Sequence, residues 1–116
     1  MSTLLLYGKH WISAMKIYRV EVAPSAIVDV NELANFLFEN MSREAAYRYL
    51  DMIGQEMESL SIFANCVNES QLLAIKEIHP HARRMMSHNH KWNYVFHIEK
   101  DTVVIDRLLK SKLITQ

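Results

Sequence analysis

A second cysteine is missing. Cys66 stands alone in the chain, so no intrachain disulfide can staple the fold. No base or cation beside it in sequence marks it as a nucleophile. It reads as a partly buried free thiol, and a reducing cytoplasm suits it. Glycine is scarce as well. With two glycines and a chain that is half hydrophobic, collagen-like and low-complexity disordered classes are excluded. Net charge is absent: 13 Lys and Arg balance 13 Asp and Glu. That argues against binding nucleic acid through overall charge, while leaving room for a local basic patch. No apolar run approaches the roughly 20 residues of a membrane span. "LLLY" near the start is too short for the core of a secretion signal.

What is present suffices for one domain. A chain of 116 residues can hide about two-thirds of its unfolded surface. Residues 1–14, "MSTLLLYGKHWISA", have no acidic residue and no clear period, and read as an N-terminal extension of unknown role. The domain is expected at 15–116, opening with "MKIYRVEVAP". Without Lys9, the one Lys or Arg of the extension, 12 basic residues face 13 acidic ones, a net of −1.

"KIYRVEV" alternates, with Tyr18, Val20 and Val22 on one side, which predicts a strand with one wet face. Pro24-Ser25 stops it and starts a helix, with Ser25 as the expected N-cap. From Ala26 to Asn40 the residues Ile27, Val30, Leu33, Ala34, Leu37 and Phe38 form a helical stripe. Asn40 ends it and Ser42 caps a second helix from Arg43 to about Phe63, whose stripe is Ala46, Tyr49, Leu50, Ile53, Met57 and Leu60. Gly54 within that helix suggests a close helix approach. So short a link makes the pair an antiparallel hairpin. Four strands are then expected: "LLAIKEI", "ARRMMSH", "KWNYVFHIE" and "TVVIDRLLK", the last two joined by a turn at Lys100-Asp101. Val103, Val104 and Ile105 in a row suggest that the last strand is central. The fold class is therefore α+β. An N-terminal strand and an antiparallel helix hairpin precede a four-strand antiparallel meander, with the helices on one face and the other face open for function.

The ordered set resembles the RelE/ParE toxin superfamily of type II toxin–antitoxin (plasmid stabilisation) systems from Lys16 to about Lys112. "YRVEVAPSAIVDVNELANFL" resembles the family's opening strand and first helix, and "SREAAYRYLDMIGQEMESL" its second helix. "IKEIHPHARRM" resembles its arginine-bearing hairpin, and "WNYVFHIEKDTVVIDRLL" its last hairpin with Val-x-Ile-x-Arg. The resemblance implies a small bacterial, cytoplasmic toxin neutralised by an antitoxin whose C-terminal segment wraps it. It implies no cofactor and no metal. Two activities occur in this superfamily: cleavage of mRNA on the ribosome by RelE-like members, and poisoning of DNA gyrase by ParE-like members. The fold alone does not separate them.

A ribonuclease of this kind must deprotonate a 2′-OH, protonate a leaving oxygen and hold a charged phosphorane. The candidates carried over from the family are Lys76, Glu77, Arg84 and a histidine, His88 first, with His90 and His97 as substitutes. The set is incomplete. Asn93 follows Trp92 where an arginine is expected, Lys112 replaces another arginine, and no tyrosine ends the chain. The ParE-like pattern fits better, through Pro80 before Arg83 and Arg84 and the motif ending at Arg107, although Lys110 stands where a histidine is usual. The expected target-binding residues are Arg83, Arg84, Arg107, Lys110 and Lys112. The plain alternative pairs Arg84 and Arg107 with nearby carboxylates such as Asp106 or Glu99. An inactive member that only binds its antitoxin is the further alternative, and the apolar helix stripes leave a homodimer open.

"EIHPHARRMMSHNHKW" holds His79, His81, His88 and His90. On neighbouring strands, two His-x-His pairs would share a sheet face. They flank a proline and a polar turn and match no fixed ligand spacing, so an exposed polar rim is favoured over a metal site. Protonated, that rim would face an acidic antitoxin segment, nucleic acid or gyrase.

Overall fold

The computed structural model describes residues 16–113. The extension at residues 1–14 lies outside them. β1 (Arg19–Val22) leads into α1 (Pro24–Asn40) and α2 (Arg43–Phe63), and a 3-10 turn (Ala64–Cys66) closes α2. A four-residue α3 (Leu73–Lys76) precedes β2 (Arg83–Met86), β3 (Trp92–Glu99) and β4 (Thr102–Lys110), and a second 3-10 turn (Ser111–Leu113) follows. The sheet order is β1-β4-β3-β2, with β1 parallel to β4 and the other pairs antiparallel.

The α+β class and the helix hairpin on one face are as expected. The meander differs. It has three strands, and β1 makes the sheet mixed by lying parallel beside β4. β4 is central, as its apolar triplet predicts. "LLAIKEI" forms no strand: it makes the single helical turn of α3. Its buried Ile75 and half-buried Leu72 and Ile78 are spaced by three, while Leu73 between them is 73 % exposed. That spacing suits a helical turn rather than a pleat. The turn packs Ile75 and Ala82 on Val95, with Leu109 beside them, so the second sheet face is partly covered rather than open.

On the first face Leu33 and Leu37 of α1 and Ile53, Met57 and Leu60 of α2 meet Tyr94, Phe96, Val103, Ile105 and Leu108 of the sheet. The α1 stripe is narrower than its sequence implies, because Ile27 and Phe38 are 48 % and 41 % exposed. Helix ends follow local chemistry. Pro24 takes the first helical position, where a missing N–H costs nothing. The N-cap is therefore Ala23, not Ser25. Ser42 caps α2 as expected, its Oγ accepting from Ala45 N–H at 3.1 Å. Gly54 does not mark a close helix approach, since a Cβ built there meets nothing within 4 Å. Cys66 is exposed at the end of its 3-10 turn rather than partly buried.

Candidate functional site

β4 is longer than its neighbour. β1 pairs only with Thr102 to Ile105, so the rest of that edge needs other partners. The start of α1 supplies them. Ala23 N–H donates to the Ile105 carbonyl at 2.9 Å, and Ser25 Oγ donates to the Asp106 carbonyl at 2.8 Å. Asp29 accepts the Leu108 N–H at 2.9 Å and both Nε and Nη2 of Arg107, at 2.7 and 3.0 Å. The bidentate carboxylate holds the Arg107 guanidinium above its ordinary pKa, against the opposing effect of burial. Arg107 thus has a carboxylate partner, and it is Asp29 rather than Asp106 or Glu99.

Beyond this pair a groove opens between α1 and the ends of β3 and β4. Its first part, about 340 Å³, is lined by Glu32, Leu33, Phe36, Trp92, Arg107 and Lys110 among others. A second part, about 460 Å³, continues past Leu37, Met41 and Tyr49 to His90, Lys91, Ser111 and Lys112. Leu33, Phe36, Trp92 and Lys110 line both. The floor is apolar, with Phe36 left 58 % exposed. The rim on the sheet side is cationic: Lys91, Lys110 and Lys112 are exposed, and among the described residues none of them forms an ion pair.

Trp92 is fixed in this floor from behind. Its Nε1–H donates to the Tyr49 hydroxyl at 2.8 Å, and Asn89 Nδ2 donates to the same oxygen at 3.0 Å. The turn from Ser87 to Trp92 is closed by Ser87 Oγ, which donates to Asn89 Oδ1 at 2.6 Å and accepts from Trp92 N–H at 3.1 Å. His90, with φ of 65°, occupies the left-handed region there. Ser111 Oγ donates to the His90 carbonyl and accepts from Asn93 Nδ2, at 2.8 and 2.9 Å, so the turn and the residue that follows β4 form one unit. On the α2 side Glu56 accepts from the Tyr94 hydroxyl and from His88 N–H.

The sequence candidates divide. Arg107, Lys110 and Lys112 line the groove. Arg83 and Arg84 do not, because β2 is the opposite edge strand. Arg83 donates to the chain's own carbonyls, Val67 at 2.7 Å and Ala64 at 3.5 Å. Arg84 lies beside Asn68, Ser70, Gln71 and Leu72 in a separate shallow pocket. The nuclease candidates occupy separate elements. Lys76 ends α3 and Glu77 follows it, Arg84 is in β2, and His88 lies beyond the far end of β2. The two His-x-His pairs are not brought together on one face: His79 and His81 precede β2, while His88 and His90 follow it. Among the described residues no group of three or more His, Cys, Asp or Glu is placed to hold a metal ion. Asp29, Tyr49, Glu56 and Ser111, which organise the site, were not legible as site residues. A carboxylate one turn after Ser25 at the helix start is the one available signal, and only for Asp29.

The mixed sheet in this order, with a helix hairpin on one face, is consistent with a RelE/ParE-like fold. A chain of the chromosomal ParDE TA system from P. aeruginosa has this architecture: the TM-score is 0.68 over 82 % of this chain and 97 % of that one, at 14 % sequence identity. At that identity the likeness is one of fold. No protein-family model and no curated protein matches the sequence. No described helix is long and apolar enough to cross a membrane.

Proposed function

We propose that this chain is the toxin of a type II toxin–antitoxin pair and acts, in the ParE-like manner, by binding DNA gyrase rather than by catalysis of its own. The fold shared with the chromosomal ParDE TA system carries the reading. The groove supports it. An apolar floor of Leu33, Phe36 and Trp92 under a rim of Lys91, Lys110 and Lys112 suits the acidic, amphipathic segment of an antitoxin. Of the five expected target-binding residues, Lys110, Lys112 and Arg84 are left for outside contact in this reading, since Arg83 and Arg107 serve the chain's own carbonyls and Asp29. Asn93 after Trp92, and Lys112, each stand where the nuclease pattern expects an arginine, which favours binding over nuclease chemistry.

The test is growth and transcript integrity after induced expression of the full chain in a bacterium. Arrest with intact mRNA and a DNA-damage response is expected. Arrest with mRNA cut within codons moves the assignment to the ribosome-dependent nuclease. Healthy growth with soluble, folded protein contradicts an active toxin in that host and leaves a member that only binds its antitoxin.

A further inference from the structure

The sheet face away from the helix hairpin carries ionisable side chains that the groove does not use. His97 of β3 is buried, 6 % exposed. Its Nδ1 lies 2.6 Å from Asp106 Oδ2 and its Nε2 3.6 Å from Glu99 Oε2. A bulge arranges this. Phe96 pairs with Ile105 and Val95 with Arg107, so Asp106 is the extra residue of β4. Bulges re-aim side chains, and this one brings a carboxylate to the imidazole.

His79, between α3 and β2, lies flat on His97, with ring centroids 3.7 Å apart and planes 3° from parallel. Nitrogen lone pairs lying in parallel planes do not converge on one ion, so the pair is no metal clamp. His79 also organises its own segment. Its Nδ1 accepts from His81 N–H and its carbonyl from Ala82 N–H, both at 3.0 Å. The charged neighbours are distributed unequally. Asp106 and Glu99 face His97. Glu21 of β1 sits across from Val104, itself the cross-strand partner of His97. The His81 ring turns to Glu69 of the segment after α2, at 3.3 Å. Lys76 and Glu77 at the end of α3 are exposed. Among the described residues no carboxylate bonds the His79 ring.

We propose that the His79–His97 stack is an acid-labile clasp fastening residues 77–82 to the sheet. One proton on the pair is accommodated, because on His97 it faces Asp106 and Glu99 while the neutral His79 ring covers it. A second proton sets like charges 3.7 Å apart, and His79 has no carboxylate of its own to hold it there. The pair separates. Acidification supplies that second proton, so the clasp is closed in alkaline solution and opens in acid. Opening uncovers Ile75, Ala82 and Val95. The His81–Glu69 contact works in the opposite sense, because a protonated His81 holds Glu69 more strongly.

Amide hydrogen exchange of the full chain at pH 8 and pH 5, corrected for intrinsic exchange, reads the clasp at the Ala82 N–H. Wild type is expected to lose roughly tenfold or more of its protection there on acidification, while the β3 and β4 core amides stay protected. His79→Phe keeps an aromatic ring on His97 that cannot take a proton, and is expected to retain Ala82 protection at pH 5. His81→Ala is expected to respond as wild type does. Unchanged Ala82 protection in wild type, equal loss in His79→Phe, or loss that accompanies the whole core would each overturn the proposal.

Discussion

Tyr94 and Glu56 show how one buried hydroxyl ties two elements. The Tyr94 ring is fully buried, and its hydroxyl donates to a carboxylate that also holds the His88 N–H. Burial first, then the hydrogen bond to negatively charged Glu56, pushes the phenol's pKa far up. In the unfolded chain a tyrosine ionises at about pH 10. Above that pH the unfolded state has lost a proton that the folded state keeps, so this contribution is complete below about pH 10 and is lost as the pH rises further. Tyr94→Phe is expected to lower stability by about 1.5–3 kcal/mol at pH 7, the usual range for a bond to a charged partner, and to flatten the alkaline decline. Urea unfolding at pH 7 and pH 10.5 measures both. Asp29 is a second such residue, its side chain only 10 % exposed and serving two partners. Asp29→Ala leaves the Leu108 N–H and Arg107 without their acceptor and is expected to cost about 2–3 kcal/mol in denaturant unfolding. Arg107→Ala strands the carboxylate instead, and its cost is expected to be smaller, because Arg107 is 39 % exposed.

Elements followed their periodic signals where burial was one-sided. α2 runs over its expected residues because Ser42 caps it and the stripe from Ala46 to Leu60 packs as one face. β3 and β4 were legible for different reasons, β3 by the alternation of Trp92, Tyr94, Phe96 and Ile98, and β4 by the apolar run Val103 to Ile105 that marks a central strand. "LLAIKEI" was misread because a short apolar run carries too few residues to distinguish a period of two from one of three. The parallel pairing of β1 was invisible for another reason: an alternating strand fits a sheet edge in either direction. Gly54 gives the element-scale prediction. Its site is open and its φ is not positive, so Gly54→Ala should stabilise the fold by about 0.5–1 kcal/mol through the helix propensity of α2. Thermal unfolding of the variant against wild type measures it, and a loss of stability would mean that the site is tighter than its geometry.

At the scale of the whole molecule a neutral chain presents a locally basic surface. The sequence holds equal numbers of acidic and basic residues, yet acidic α1 and the lysines at the end of β4 face each other across the groove. Lys110 and Lys112 were legible as candidates, whereas the groove was not, because Phe36, the Lys91-Trp92 pair and Lys110 come from three separated stretches of sequence. The most direct test of the binding account is DNA supercoiling by purified gyrase in the presence of the purified full chain. The account predicts inhibition without any cleavage of added RNA. It also predicts clear weakening of that inhibition in a folded Lys110→Glu, Lys112→Glu variant. Undiminished supercoiling at saturating protein, together with RNA cut on translating ribosomes, would contradict it.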